Sequence, residues 1–376
     1  MIKARKKLRI IAAVMLTVSL PFTSLTANVS ADSGAPDITV NHADSLSRLF
    51  VNRPDYCLYC SKAHPGFAGF FVRLGHEFLY LFRGLFGDYD PEGRVFFTYE
   101  KLEIGADEPF YFIHASDTHV SLIDGRDSGD ARLVDTAEKR FDFCPYAIRC
   151  LDELSLKANE LDAFIVHTGD LIDYISQKNL DVAKNFTEKN DVFFCVGNHE
   201  YMNYVWNDLP GTAQRDKTFD TVQAVYPNDL MFSVRVEHGV KFIAVDNVYH
   251  RVEQWQVDKL REELAKDDMP VILALHVPLY APDMFEFQMK KNGAGYPAWL
   301  MGVPEELMRE SHYTEESIEE QKPDEPTNEF CDLVKSSPQI KAILTGHNHA
   351  HFVSQVTPTL KQYMVDTTEG QIFEIR

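Results

Sequence analysis

Basic residues are scarce in this chain: 37 Lys and Arg stand against 57 Asp and Glu, a formal net charge of −20. Such a chain has no broad basic surface with which to release counterions from a phosphate backbone, so no polynucleotide partner is expected. Glycine and proline number 19 and 18, too few for a collagen-like or low-complexity chain. The apolar run Ile10–Leu20 falls short of the about 20 residues that span a bilayer. No cysteine precedes Cys57, which excludes the lipid-modified kind of export signal, since that needs a cysteine at the cleavage point. Cys57-Leu-Tyr-Cys60 has no second Cys-x-x-Cys to complete a zinc knuckle, and no thioredoxin-like context surrounds it. No internal repeat is visible. What is present is 376 residues that are 45% hydrophobic, enough for about two domains, or one large domain with extensions.

Lys3, Arg5, Lys6, Lys7 and Arg9 precede the run Ile10–Leu20, and Val29-Ser30-Ala31 follows it. A basic start, a short apolar stretch and small residues are the layout of a secretory signal peptide. Residues 1–31 are therefore expected to be removed near Ala31 and the protein to be secreted or extracytoplasmic. The mature chain then carries about −25 (32 minus 57). Export permits disulfides, so Cys57, Cys60, Cys144, Cys150, Cys195 and Cys331 read mainly as structural bridges with undetermined pairing. Cys195 is the exception: it lies in an apolar strand and reads as a buried free thiol.

Residues 32–107 form an expected N-terminal extension. Within 67–86, Phe67, Phe70, Phe71, Leu74, Phe78, Leu81, Phe82 and Leu85 recur at helical spacing, with Arg73, His76, Glu77, Tyr80 and Arg83 opposite. This amphipathic helix reads as core covering the main domain; contact with a membrane surface is the second reading. Val95 to Ile104 reads as a strand.

The main domain is expected over 108–376. Apolar strands fall at Phe110–His114, Ala163–His167, Val192–Val196, Lys241–Val245, Val271–Leu275 and Ile340–Leu344. Helical patterns lie between them, notably Leu133–Asn159, interrupted by Pro145, and Glu253–Ala265. Continuous apolar strands alternating with helices predict an α/β fold with sheets covered on both faces. Glu237-His238-Gly239 between two strands adds a hairpin, so the sheets are mixed. Residues 281–327 are poor in pattern and predict an inserted loop or lid with short helices of its own.

Five of these strands end in polar residues: Asp117-Thr118-His119, Gly169-Asp170-Leu171-Ile172-Asp173, Gly197-Asn198-His199-Glu200, His276, and Gly346-His347-Asn348-His349. Strand C-termini in α/β sheets meet at one crevice. Carboxylates and imidazoles gathered there need a cation. Residues two apart share a face of an extended strand, which predicts that Asp117 and His119 point together, as do His347 and His349. Oxygen and imidazole donors without thiolate suit Mn, Fe, Zn, Co or Ni. Asp117, His119, Asp170, Asn198, His276, His347 and His349 exceed one metal's shell, so two divalent ions are expected, an arrangement suited to phosphoester displacement.

These blocks, in this order, resemble the calcineurin-like metallophosphoesterase superfamily over about residues 110–370. The resemblance implies a four-layer αββα sandwich with two mixed β-sheets. It gives one metal to Asp117, His119, Asp170 and His349, and the other to Asp170, Asn198, His276 and His347, with Asp170 bridging. It further implies a metal-bridging hydroxide as nucleophile, His199 as general acid with Asp173 orienting its ring, and a small phosphoester as substrate. Glu200 would support the turn.

Departures narrow the branch. Purple acid phosphatases carry Gly and Tyr where His119 and Asp173 stand here, so the tyrosine-to-iron colour is not expected; Tyr174 is one residue too late. The 5′-nucleotidase branch has a large C-terminal domain, whereas 27 residues (376 minus 349) follow His349. Serine/threonine protein phosphatases place Arg-Gly where Tyr174-Ile175 follow Asp173. The bacterial secreted phosphomonoesterases and phosphodiesterases remain. Two alternatives stand beside this reading: a hydrolase of phospholipid head groups associated with membranes through 67–86, and a metal-binding protein without turnover. His114 and His167, on apolar strands, read as satisfied core histidines; His351 reads as structural or as a support behind the ligands; His64, His76, His238, His250 and His312 have no motif context.

Overall fold

The computed structural model describes residues 95–140, 143–205, 212–293 and 295–376, together with five helical positions, Phe67, Phe71, Leu74, Gly75 and Phe78. The expected signal peptide, Cys57 and Cys60 lie outside the described residues.

Eleven strands and nine α-helices are formed by the described residues. The strands are β1 (Phe96–Leu102), β2 (Phe110–Ala115), β3 (Phe164–His167), β4 (Val192–Phe194), β5 (Phe232–Glu237), β6 (Val240–Val245), β7 (Val271–Ala274), β8 (Ile340–Thr345), β9 (Phe352–Thr357), β10 (Leu360–Met364) and β11 (Glu369–Ile375). The helices are α1 (Ala131–Arg140), α2 (Ala147–Leu161), α3 (Gln177–Lys189), α4 (Thr212–Gln223), α5 (Gln254–Ala265), α6 (Pro282–Asn292), α7 (Glu305–Glu310), α8 (Glu315–Gln321) and α9 (Glu325–Ser336).

One sheet has the order β1-β11-β2-β3-β4 and the other β5-β6-β7-β8-β10-β9. Both are mixed: β2, β3 and β4 run parallel while β11 is antiparallel to β2, and β6, β7 and β8 run parallel while β5 and β9 are antiparallel edges. The strands β3, β6 and β7 are buried at every residue, which is what continuous apolar runs require when both faces are covered. Phe112, Phe164, Val166 and Phe373 from the first sheet pack with Phe242, Ile272, Ala342 and Tyr363 from the second. Leu151, Leu154 and Ala183 of α2 and α3 cover the outer face of the first sheet. Val257, Leu260, Phe330 and Val334 of α5 and α9 cover that of the second. The layers therefore run helix, sheet, sheet, helix, as expected.

Local chemistry sets the element ends. Ser176 caps α3 by accepting from the Asn179 N–H, Asp324 caps α9 through the Thr327 N–H, and Glu253 with Gln256 closes a capping box on α5. The β5–β6 hairpin turns through His238 and Gly239, both at positive φ (44° and 77°), as a two-residue hairpin favours.

Three findings differ from the sequence reading. Strand β1, read as part of the extension, is the edge of the first sheet, paired in parallel with β11. The described apolar positions Phe67, Phe71, Leu74 and Phe78 are 41–82% exposed, so at these positions the stripe does not cover the core. Cys144, Cys150, Cys195 and Cys331 are all free thiols, so no disulfide joins the described cysteines. Each of the four packs in or beside an apolar cluster, where a thiol behaves as a small hydrophobe. Cys195 is the buried free thiol expected of it.

Candidate metal centre

The parallel strands β2, β3 and β4 of one sheet and β7 and β8 of the other deliver their C-terminal turns to one place. Backbone bonds stitch the turns together: Asp117 N–H donates to Gly169 O and His119 N–H to Asp170 O, both at 2.9 Å, and Asp173 N–H donates to Val120 O at 3.0 Å. Asp117, His119, Asp170, His347 and His349 all have left-handed backbone, with φ of 55°, 49°, 53°, 70° and 46°. The pairs Asp117/His119 and His347/His349 converge through these turns, and not through the shared face of an extended strand. Left-handed non-glycine residues cost about 1–3 kcal/mol each and gather where surrounding structure enforces them for function. A Cβ at Gly197 would run into the Asp170 carboxylate, and one at Gly346 into that of Asp117; glycine at both lets the turns close on the acids.

All seven expected ligands meet here. Asp117 Oδ1 lies 3.3 Å from His349 Nε2 and 3.7 Å from His119 Nε2, and the two imidazole nitrogens are 3.0 Å apart. Asp170 Oδ2 lies 3.2 Å from His276 Nε2. His276 Nε2 is in turn 3.1 Å from His347 Nδ1 and 3.2 Å from Asn198 Oδ1. Asp170 Oδ2 is also 3.7 Å from His119 Nε2, so this one carboxylate faces both groups.

The donor set fits divalent cations. His119 Nδ1 is engaged by Asp173 Oδ1 at 2.9 Å and His276 Nδ1 by Thr168 O at 2.7 Å. An oxygen of a carbonyl or carboxylate accepts, so both Nδ1 atoms hold the proton and both Nε2 lone pairs face the cluster. His119 Nε2 beside His349 Nε2, and His276 Nε2 beside His347 Nδ1, each pair about 3 Å apart among buried carboxylates, suit a cation between them. Without one, protons take its place. Burial lowers the His119 and His276 pKa, but the carboxylates outweigh it: Asp117 and Asp173 raise His119 to about 10, and Asp170 and Asp117 raise His276 to about 9. Burial, with His276 and His250 nearby, pushes His347 well below its usual value.

His199 stands at the rim, its Nδ1 2.8 Å from Asp173 O and 3.2 Å from Asp173 Oδ1. Its N–H donates to Asp170 Oδ1 at 2.8 Å. Burial lowers its pKa, and Asp170 and Asp173 more than reverse this, so the ring holds a proton more firmly than usual. Glu200 supports the turn as expected. Its oxygens accept from the N–H groups of Gly197, Asp170, Leu171 and Ile172 and from the Tyr226 hydroxyl. Burial raises its pKa to about 7, with Asp170 adding to the rise.

Four residues near the centre were not singled out in the sequence. Arg140 Nε and Nη2 donate to Asp173 Oδ2 and Oδ1, both at 2.7 Å. Asn247 Oδ1 accepts from the His276 and Val277 N–H groups at 3.1 Å and so fixes the His276 turn. Phe143 meets the His119 ring at 5.2 Å, and Trp299 the His347 ring at 6.4 Å. None sits in a recognisable spacing, so no local signal marks it. His250, without motif context, is buried with its ring 5.6 Å from that of His347. Two further histidines lie in the core as read, although His114 Nδ1 has no hydrogen-bond partner among the described residues, and His64 and His76 lie outside the described residues. His114 and His167 are wholly buried, bonded to Thr168 and Thr118, with pKa values lowered by burial to about 3. His351 bonds Glu369 at 2.7 Å.

Comparison with known proteins matches residues 110–351 to the family of calcineurin-like phosphoesterases. No curated protein matches the chain. Among solved structures the chain is similar to a dimetal phosphatase from Danio rerio, at 12% identity and a TM-score of 0.40, covering 69% of this chain and 88% of the other. It is also similar to a phosphopantetheinyl hydrolase from Mycobacterium tuberculosis, at 13% identity and 0.36, covering 68% and 89%. A 5′-nucleotidase from Candida albicans matches at 14% and 0.33, covering 69% of this chain and 45% of its own.

Proposed function

The chain belongs to the calcineurin-like phosphoesterase family, and on that premise we propose that its metal-dependent phosphoester hydrolysis runs at a dinuclear centre. Asp117, His119, Asp170 and His349 would hold one divalent ion, and Asp170, Asn198, His276 and His347 the other. The observation that carries this is the placement of Asp170 Oδ2 between His119 and His276. Two ions of the Mn, Fe, Zn, Co or Ni class, when bound, supply Lewis acidity and an activated water at neutral pH.

The protein's own residues do the rest. Asp173 keeps the His119 and His199 rings oriented through their Nδ1 atoms. Because His199 Nδ1 donates to the Asp173 carbonyl, Nε2 carries a proton only in the charged ring, and that proton is the one given to the leaving oxygen. Neighbouring carboxylates favour the charged ring. Glu200 holds the backbone of Asp170 and Gly197 in place. The insert 281–327 reaches the rim through Trp299, and its face toward the substrate would separate monoesters from diesters.

The test is a panel of phosphomonoesters and phosphodiesters, given to chelator-treated protein reloaded with Mn, Fe, Zn, Co or Ni. Hydrolysis lost with the chelator and restored by at least one ion is the expected outcome. Hydrolysis that survives complete chelation contradicts the reading.

A second reading has one observation behind it. Exposed Phe67, Phe71, Leu74 and Phe78 share a helical stripe, and such a face lies readily in the head-group boundary of a membrane. No helix of the described residues is long and apolar enough to cross one. In this version the enzyme is exported, loses residues 1–31, and works on phosphoesters at a lipid surface. Co-sedimentation of the mature protein with vesicles supports it, and full recovery in the supernatant removes it.

A further inference from the structure

Just past α1, Phe143 stands 42% exposed at the edge of the candidate centre. The Arg140 guanidinium carbon lies 3.9 Å from its ring centroid, and that guanidinium is itself pinned by Asp173 through two hydrogen bonds. The Phe143 ring meets His119 at 5.2 Å and His349 at 5.5 Å. His199 meets the same His119 ring at 4.6 Å. Phe143 thus touches two candidate ligands, and shares one of them, His119, with His199. Phe143 is also one wall of a cavity of about 350 Å³, shared with Cys144, Tyr146, Ala147, Thr367 and Thr368. None of the described lining residues carries a formal charge. Burial raises the Cys144 pKa and keeps it a thiol. In a protein with 57 acidic residues, a neutral, aromatic-walled cavity beside the metal ligands is selective by construction.

We infer that this cavity is the leaving-group subsite, and that it takes phosphoesters whose alcohol is an uncharged aromatic ring laid against Phe143. The inference rests on the phosphoester reading above and adds the substrate class. A charged alcohol would lose its hydration there without gaining a counter-charge. A small alkyl alcohol would leave the cavity unfilled and the Phe143 face in water. An aromatic ring gains both apolar burial and ring–ring contact, and the volume is in the range of small-molecule pockets.

Binding of non-hydrolysable phosphonates tests the subsite apart from turnover. Calorimetry on metal-loaded protein compares phenylphosphonate, 4-carboxyphenylphosphonate and methylphosphonate. Phenylphosphonate should bind about tenfold tighter than either other compound, from the combined burial and ring contact. The phenyl-to-methyl ratio should fall toward one in Phe143→Ala and, with the cavity filled by a larger lining residue, in Thr367→Trp. It should persist in Phe143→Tyr. A wild-type ratio near one, or a ratio untouched by both Phe143→Ala and Thr367→Trp, overturns the subsite while leaving the metal centre standing. If the wild type binds no phosphonate and hydrolyses no ester, the phosphoester reading falls and takes the subsite with it.

Discussion

Arg140 grips Asp173 with a two-pronged ion pair, Nε to Oδ2 and Nη2 to Oδ1, both at 2.7 Å, and the carboxylate is fully buried. Asp173 also faces the Nδ1 atoms of His119 and His199. Burial alone would raise the Asp173 pKa; Arg140, His119 and His199 together hold it well below the carboxylate range. One acid thus orients a candidate ligand and the candidate proton donor, and one arginine keeps it charged and in place. Removing a partner of a buried pair costs about 3–5 kcal/mol. Arg140→Gln should therefore melt well below wild type and lose kcat. Arg140→Lys, which keeps the charge but not the fork, should fall between them. Equal melting temperatures and kcat for all three proteins would show that the pair has neither role.

The proton on His199 sets a second expectation. An alkyl ester leaves as a basic alkoxide and needs that proton, whereas nitrophenolate is stable without it. General acid catalysis supplies about 10²–10⁴-fold, so His199→Ala should lose close to that in kcat/KM for an alkyl ester and less for a nitrophenyl ester. Metal content should stay near wild type. Equal losses for both esters would assign His199 to clamping the phosphoryl oxygens instead.

The metal-free protein should respond to pH in a definite direction. Carboxylates raise His119 to about 10 and His276 to about 9, against 6.5 in an unfolded chain. A raised imidazole contributes stability that is complete below pH 6.5 and disappears as the pH climbs through the folded value. The melting temperature of metal-free protein should thus fall between pH 6.5 and 10. Metal-loaded protein should not show this fall, because the cations bind the neutral rings. Parallel melting curves for the two forms across this window would contradict the site's electrostatics.

Tyr174 is wholly buried in a cluster with Ile123, Leu133 and Ala137 and receives the Ser121 hydroxyl at 3.3 Å. The purified protein, loaded with iron, should show no strong tyrosinate-to-iron absorption in the visible range. A band that Tyr174→Phe abolishes would place a tyrosine on the metal.

The ligand-bearing turns were legible because each sits where an apolar strand stops, and Asp, His and Asn in such places have little other use. Their backbone was not legible. Nothing in Asp117-Thr118-His119 announces two left-handed residues, and the extended geometry assumed for it was wrong although the convergence was right. Arg140 was hidden because it lies 33 residues from Asp173 on an amphipathic helix, where an arginine is usually a solvated side chain. Strands β9 to β11 were missed as well. In β9 the pattern alternates at the sheet edge, and in β11 Glu369, Gln371 and Glu374 are buried polar residues, so apolar continuity gives no signal. The cysteines misled because the export expected from residues 1–31 would permit disulfides, while packing in apolar clusters explains the four described thiols equally well.

The central claim is that one carboxylate, Asp170, serves both halves of the site. Asp170→Asn removes the charge with little change in shape. Metal analysis and turnover on the same purified sample decide the matter. The account predicts two ions per chain in the wild type, with metal content and hydrolysis falling together in Asp170→Asn. Two retained ions with near-normal hydrolysis in Asp170→Asn would contradict it.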